Sequence, residues 1–187
     1  MKYFFDTEFI EDGKTIDLLS IGIVAENGRE LYLKNRDADF ASADKWVIEN
    51  VFPSLGVDLN SSSLVMLSVG ADTGRLPDSG WVDRKFIGKA IIAFVGADKP
   101  EFWAYYADYD WVVLCQLFGR MIDLPKGWPM YCRDVKQLCD SLGNPKLPEQ
   151  TSKEHHALED ARWTKQTYEF LIERMKAPQP GQGKVKR

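Results

Sequence analysis

The amino-acid sequence predicts an α/β domain, a mixed β-sheet flanked by α-helices. Two observations carry this. Three apolar runs of β-type composition follow one another within the first 35 residues, as in a meander. From residue 81 onward, strand-like and helix-like segments alternate.

Taken in order, residues 2–9 are aromatic-rich and suit a buried strand. Residues 16–25 and 29–34 form two further apolar strands, separated by Glu26-Asn27-Gly28, whose Asn-Gly pair is a strong hairpin signal. Ala41–Val51 has Trp46, Val47, Asn50 and Val51 near helical spacing, with Pro53 expected to stop the helix. The Ser/Gly-rich stretch Leu55–Gly80 lacks regular periodicity and reads as a surface loop. Between Trp81 and Val95, Val82, Phe86, Ala90, Ile91, Phe94 and Val95 recur at intervals that predict an amphipathic helix. A strand over 101–106 follows, then helices over Asp108–Phe118, near Asp134–Leu142, and from about His156 to Met175. Residues 1–176 thus make one domain, and the polar, basic, Pro/Gly-rich segment 177–187 is predicted to be a disordered tail.

At 187 residues the chain is long enough to bury a core without disulfides. Its three cysteines, Cys115, Cys132 and Cys139, have no metal-ligand spacing and suit reduced thiols in a cytoplasmic protein. No apolar run approaches membrane-spanning length, so no membrane partner is expected. A net charge of −4 argues against a protein that coats nucleic acid through a broad basic face. It does not argue against a nuclease, whose bound cations supply positive charge and whose carboxylate ligands count as negative.

Three short signals carry chemistry. Asp6-Thr7-Glu8 lies within the first strand, where alternation sends both carboxylates to one face and Thr7 to the other. Paired acids beside a run of Phe and Tyr need a cation, a basic partner or water. Tyr109-Asp110 opens the middle helix. The last helix is entered by His155-His156-Ala157-Leu158-Glu159-Asp160, with an imidazole five positions before a carboxylate. Within the middle helix, Asp110 shares its face with Val113, Leu114 and Leu117 and is expected to point inward. Asp108 lies about 200° away and is expected to act as an N-cap.

Together, in this order and on these element types, the signals resemble the DEDDh 3′→5′ exonucleases of the RNase H-like fold. The stretches MKYFFDTEFIEDGKTIDLLSIGIVAENGRELY, KWVIENVFPSL, FWAYYADYDWVVLCQLFG and HHALEDAR are similar to the small bacterial and phage exoribonucleases of the RNase AS and RNase T type. The resemblance covers about residues 1–55 and 101–172. It implies Asp6, Glu8, Asp110 and Asp160 as metal ligands, with His155 as general base and Glu8 also counted as catalytic. Thr7 and Phe9 are the implied substrate contacts, although Phe9 reads equally well as core. Hard oxygen ligands suit two Mg²⁺ or Mn²⁺ ions, and an imidazole with a reference pKa of about 6.5 is able to take a proton from water near neutral pH. His156, which lacks the spacing to Asp160, reads as a structural neighbour. Arg133 and Asp134 match the family stretch without an assignable role. The implied substrate is the 3′ end of single-stranded RNA, adenylate-rich by family preference, and the implied assembly is a homodimer. Alternatives are an exodeoxyribonuclease, or an inert nucleic-acid-binding module that retains the fold.

Overall fold

The computed structural model describes residues 1–57, 80–152 and 154–176. The chain opens with β1 (Lys2–Glu11), β2 (Ile16–Ala25) and β3 (Glu30–Asn35), an antiparallel meander. The Asn-Gly signal forms the second turn: Gly28, at a φ of 87° that suits glycine, donates its N–H to the Ala25 carbonyl at 2.9 Å.

Two short helices follow, α1 (Lys45–Asn50) and α2 (Phe52–Leu55), with Asp44 capping the first by accepting from the Val47 N–H at 2.8 Å. Pro53 does not end the helical region as expected. It sits in the first turn of α2, where a missing N–H costs no helical bond, and Gly56 in the left-handed region ends that helix. The expected Leu55–Gly80 loop falls, over residues 58–79, outside the described residues, as does the tail 177–187.

The remaining elements are β4 (Trp81–Val82), α3 (Arg84–Val95), β5 (Glu101–Ala104), α4 (Asp108–Gln116), β6 (Arg133–Asp134), α5 (Val135–Ser141) and α6 (Ala157–Lys176). The helix expected from Trp81 begins later. Trp81 and Val82 pair in parallel with Lys34 and Asn35, and Asp83 then caps α3 through the Phe86 N–H at 2.7 Å. Likewise Arg133 and Asp134 pair with Trp103 and Ala104 as an edge strand before α5.

The sheet order is β4-β3-β2-β1-β5-β6, with the meander on one side and parallel pairing of β1 with β5 and β5 with β6 on the other. This is the mixed α/β sheet that the sequence predicts. Its two faces are covered by different helices. Tyr3, Phe5, Ile21 and Ile23 pack with Ile87 and Ile91 of α3 and with Trp111, Val113 and Leu114 of α4. On the other face Phe4 meets Tyr168 of α6 with ring centroids 5.1 Å apart. Small residues let α6 approach closely: Ala157, Ala161 and Thr164 are buried along it, and Gly22 of β2 lies beneath its first residue. A smaller apolar cluster of Ile10, Leu19, Phe40, Val47, Val51, Phe52 and Leu55 anchors α1 and α2 to one end of the sheet.

Candidate active site

Strand β1 presents Asp6 and Glu8 to the α6 face, as the alternation requires. Their partners on β2 are Gly22 and Ser20, so little side-chain bulk stands beside the two acids. The first turn of α6 brings Asp160 above them. Carboxylate oxygens of Asp6, Glu8 and Asp160 all lie within 4.8 Å of one another, which is a spacing able to hold a divalent cation.

The fourth acid arrives from the opposite layer. Asp110 belongs to α4, on the face to which Phe5 and Thr7 point, and is 6% exposed. Its Oδ1 accepts the Thr7 backbone N–H at 2.9 Å and the Thr7 hydroxyl at 2.5 Å. Thr7, which the resemblance implies as a substrate contact, lines the cavity and gives its hydroxyl to Asp110. The inward orientation of Asp110 and the exposure of Asp108 agree with the sequence reading. The N-cap assigned to Asp108 does not. Tyr106, at φ 57°, turns the chain sharply after β5, so the cap position falls on Ala107 and Asp108 lies within the first helical turn without a capping bond.

Two histidines enter α6 in different directions. His155 has φ 59°, a left-handed conformation unusual for a residue with a side chain, and it lines the cavity with the Trp46 ring at 4.9 Å. His156 turns to the sheet and stacks on Tyr32 at 4.4 Å. Its backbone N–H donates to Asp160 Oδ2 at 3.1 Å, while the Gln150 carboxamide donates to Asp160 Oδ1.

Asp6, Thr7, Glu8, Asp110, His155 and Asp160 line one cavity of about 330 Å³. Aromatic side chains form much of the remaining wall: Phe9, Trp46, Tyr105, Tyr106 and Tyr109. The register of β1 shifts between Glu8 and Phe9, and Phe9 meets Tyr109 edge-on with centroids 5.9 Å apart, so the same side chain both packs on the core and borders the cavity. Trp46, Tyr105, Tyr106, Gln150 and Gly22 had no sequence signal of a role here. Gln150 lies in an irregular segment, and the tyrosines read as ordinary strand residues. Asp134, also unassigned, caps α5 through the Lys136 N–H at 2.6 Å and accepts the Ala107 N–H at 3.3 Å. Arg133 lies over the rings of Trp103 and Tyr131 and pairs with Glu101.

The electrostatics of the cluster favour a cation. Burial pushes the Glu8 carboxyl up to about 8, with repulsion from Asp160 and Asp110 adding to it. Asp6 is held well above the ordinary carboxylate range by burial and by Asp110, Glu8 and Asp160. Burial raises Asp110 to about 7 against the opposing effect of the Thr7 bonds, and raises Asp160 against that of Gln150. Acids so placed keep protons until positive charge replaces them. An oxygen-only donor set of this kind fits a hard divalent ion.

Residues 76–172 match the model of the Rv2179c-like domain, described as a 3′-5′ exoribonuclease domain. The chain is 40% identical over 165 residues to the 3′-5′ exoribonuclease Rv2179c of Mycobacterium tuberculosis strain H37Rv, covering 87% of this chain and 88% of that protein. The same figures hold for the corresponding 3′-5′ exoribonuclease of strain CDC 1551 / Oshkosh. Among solved structures, exonuclease I aligns over 94% of this chain and 43% of its own length, with 13% identity and a TM-score of 0.49. By the extent and identity of its match to the mycobacterial relatives, the chain belongs to the Rv2179c-like 3′-5′ exoribonuclease family.

Proposed function

We propose that this chain is a metal-dependent 3′→5′ exoribonuclease that removes nucleotides from the 3′ end of single-stranded RNA, with adenylate-rich ends preferred. The observation that carries the reading is the convergence of four carboxylates and one imidazole, from three separated stretches of sequence, on one aromatic-walled cavity. Family membership supports the direction of cleavage and the substrate class.

In this proposal Asp6, Glu8, Asp110 and Asp160 hold two Mg²⁺ or Mn²⁺ ions. When bound, such ions acidify a water and offset charge growing on the phosphate and on the leaving 3′ oxygen. The residues of the chain do the remaining work. His155, held over the cavity by its left-handed backbone and by Trp46, accepts the proton of the attacking water. Gln150 and the His156 N–H orient Asp160. Phe9 offers an apolar surface to a terminal base, where stacking contributes on the order of 1–3 kcal/mol. We further propose a homodimer acting in the cytoplasm, with the residues of 1–176 forming a single catalytic domain. No described helix is long and apolar enough to cross a membrane.

The test uses 5′-labelled single-stranded oligo(A), other RNA homopolymers and matched DNA, each incubated with protein and Mg²⁺. The expected result is a ladder shortening from the 3′ end of RNA, fastest on oligo(A), and abolished by EDTA. Full turnover in excess chelator, or equal turnover on DNA, would refute the corresponding part of the proposal. Light scattering at assay concentration, with a mass of two chains expected, tests the assembly.

A further inference from the structure

Thr7 separates the two acids of β1 in sequence, yet it belongs to the opposite face of the sheet. There it makes both available donations to a single oxygen: its backbone N–H and its hydroxyl both reach Asp110 Oδ1, at 2.9 and 2.5 Å. Both residues are buried, with Thr7 5% and Asp110 6% exposed. The helix that carries Asp110 starts without a side-chain cap. The strand, through Thr7, thus holds this carboxylate by two bonds to one oxygen.

We propose that Thr7 is a positioning residue, which occupies Asp110 Oδ1 so that Oδ2 is turned to the cavity and to a cation. The proposal rests on the reading of Asp110 as a metal-binding carboxylate. Two donors converging on one oxygen fix rotation about the Cβ–Cγ bond, because turning the carboxylate breaks both bonds at once. A buried carboxylate lacking one of them loses orientation as well as solvation. The hydroxyl, facing a carboxylate, is the donor. On this account the residue between the two β1 acids serves a third acid, carried by the helix layer on the side to which the Thr7 side chain points, and that carboxylate reaches the same cavity.

Three substitutions separate the hydroxyl from the shape of the side chain. Thr7→Ser keeps the donor, Thr7→Val keeps the β-branched volume without it, and Thr7→Ala loses both. Mn²⁺ affinity is read by calorimetric titration of the metal-free proteins, beside kcat and KM on oligo(A) and a melting curve for each. Serine is expected to bind Mn²⁺ like the parent. Valine and alanine are expected to weaken Mn²⁺ binding and to lower kcat, each by about 10–100-fold, with KM for RNA little changed. Alanine carries the test if valine does not fold. Parental Mn²⁺ affinity in a folded valine or alanine variant, or a serine variant as weak as alanine, would overturn the proposal. Asp110→Asn is measured alongside: if it keeps parental affinity and turnover, the reading of Asp110 itself fails. If only Asp110→Asn is impaired, Thr7 alone is misassigned.

Discussion

Gly22 is the position where adding one methyl group should do most damage to the site for the least change in chemistry. It lies on β2 directly opposite Asp6, on the face covered by α6. A Cβ placed there would sit 2.4 Å from the Ala157 carbonyl carbon and oxygen and from the Leu158 Cα. All three are backbone atoms, so no side-chain rotation relieves the clash. To reach ordinary contact the start of α6 must lift by about 1 Å, or β2 must sink by as much. Overpacking of this kind costs about 1–3 kcal/mol. The functional effect should be larger, because that same first turn carries Asp160 and is entered through His155. A misplacement of about 1 Å at a catalytic constellation is enough to lower turnover by about 10²-fold. The assay is single-turnover cleavage of 5′-labelled oligo(A) at saturating Mg²⁺, with a melting curve for each protein. Gly88→Ala serves as comparison: its Cβ would meet the Leu117 carbonyl at 3.2 Å, in a tight place that does not line the cavity. Gly88→Ala should keep parental turnover. A Gly22→Ala protein with parental turnover would show that the close approach of α6 to β2 is not what sets the site.

The metal-free protein should lose stability as pH rises from 5 to 8. Glu8 and Asp110 have folded-state values raised to about 8 and about 7, above their ordinary values of 4.5 and 3.8, so the folded state holds more protons across that window. Their contribution is complete below the unfolded values and is lost toward the folded ones. Calorimetric melting in EDTA should show it, and Mg²⁺ should raise the melting temperature more at pH 8 than at pH 5; a melting temperature in EDTA that climbs over this range would contradict the account. His155→Ala should lower turnover by about 10²–10⁴-fold with RNA binding largely kept. His156→Ala should act mainly on stability, since its ring stacks on Tyr32; an inactive His156→Ala beside an active His155→Ala would reverse the assignment. Asp110→Asn should fold and bind RNA but turn over slowly. Asp108→Ala, at an exposed position without a capping bond, should change neither melting nor single-turnover rate appreciably, and a marked loss in either would show that the helix start is read wrongly.

What the sequence determined by itself were the features set by local periodicity and turn chemistry. Two-residue alternation placed Asp6 and Glu8 on one face, the Asn-Gly pair closed the β2–β3 hairpin, and the apolar stripe of α4 turned Asp110 inward. These follow from interactions within a few residues. The order of three short motifs along the chain was enough to indicate the family, although each motif alone says little.

The tertiary structure decided what depends on partners distant in sequence. The two-residue strands β4 and β6 are too short to show any period and exist because β3 and β5 offer backbone groups to pair with. Asp108 lost the cap position because a left-handed Tyr106 moved the helix start, and a left-handed His155 sent two adjacent imidazoles to opposite sides. Most of all, the sequence could not say that the fourth carboxylate approaches through the other layer of the sheet. Only folding brings Asp110 to Thr7 across 103 positions of chain and Gln150 to Asp160 across an irregular segment. Only folding, too, makes Gly22 a place where a side chain would meet backbone. Such contacts leave no local pattern, because the geometry that satisfies them is set by how whole elements pack.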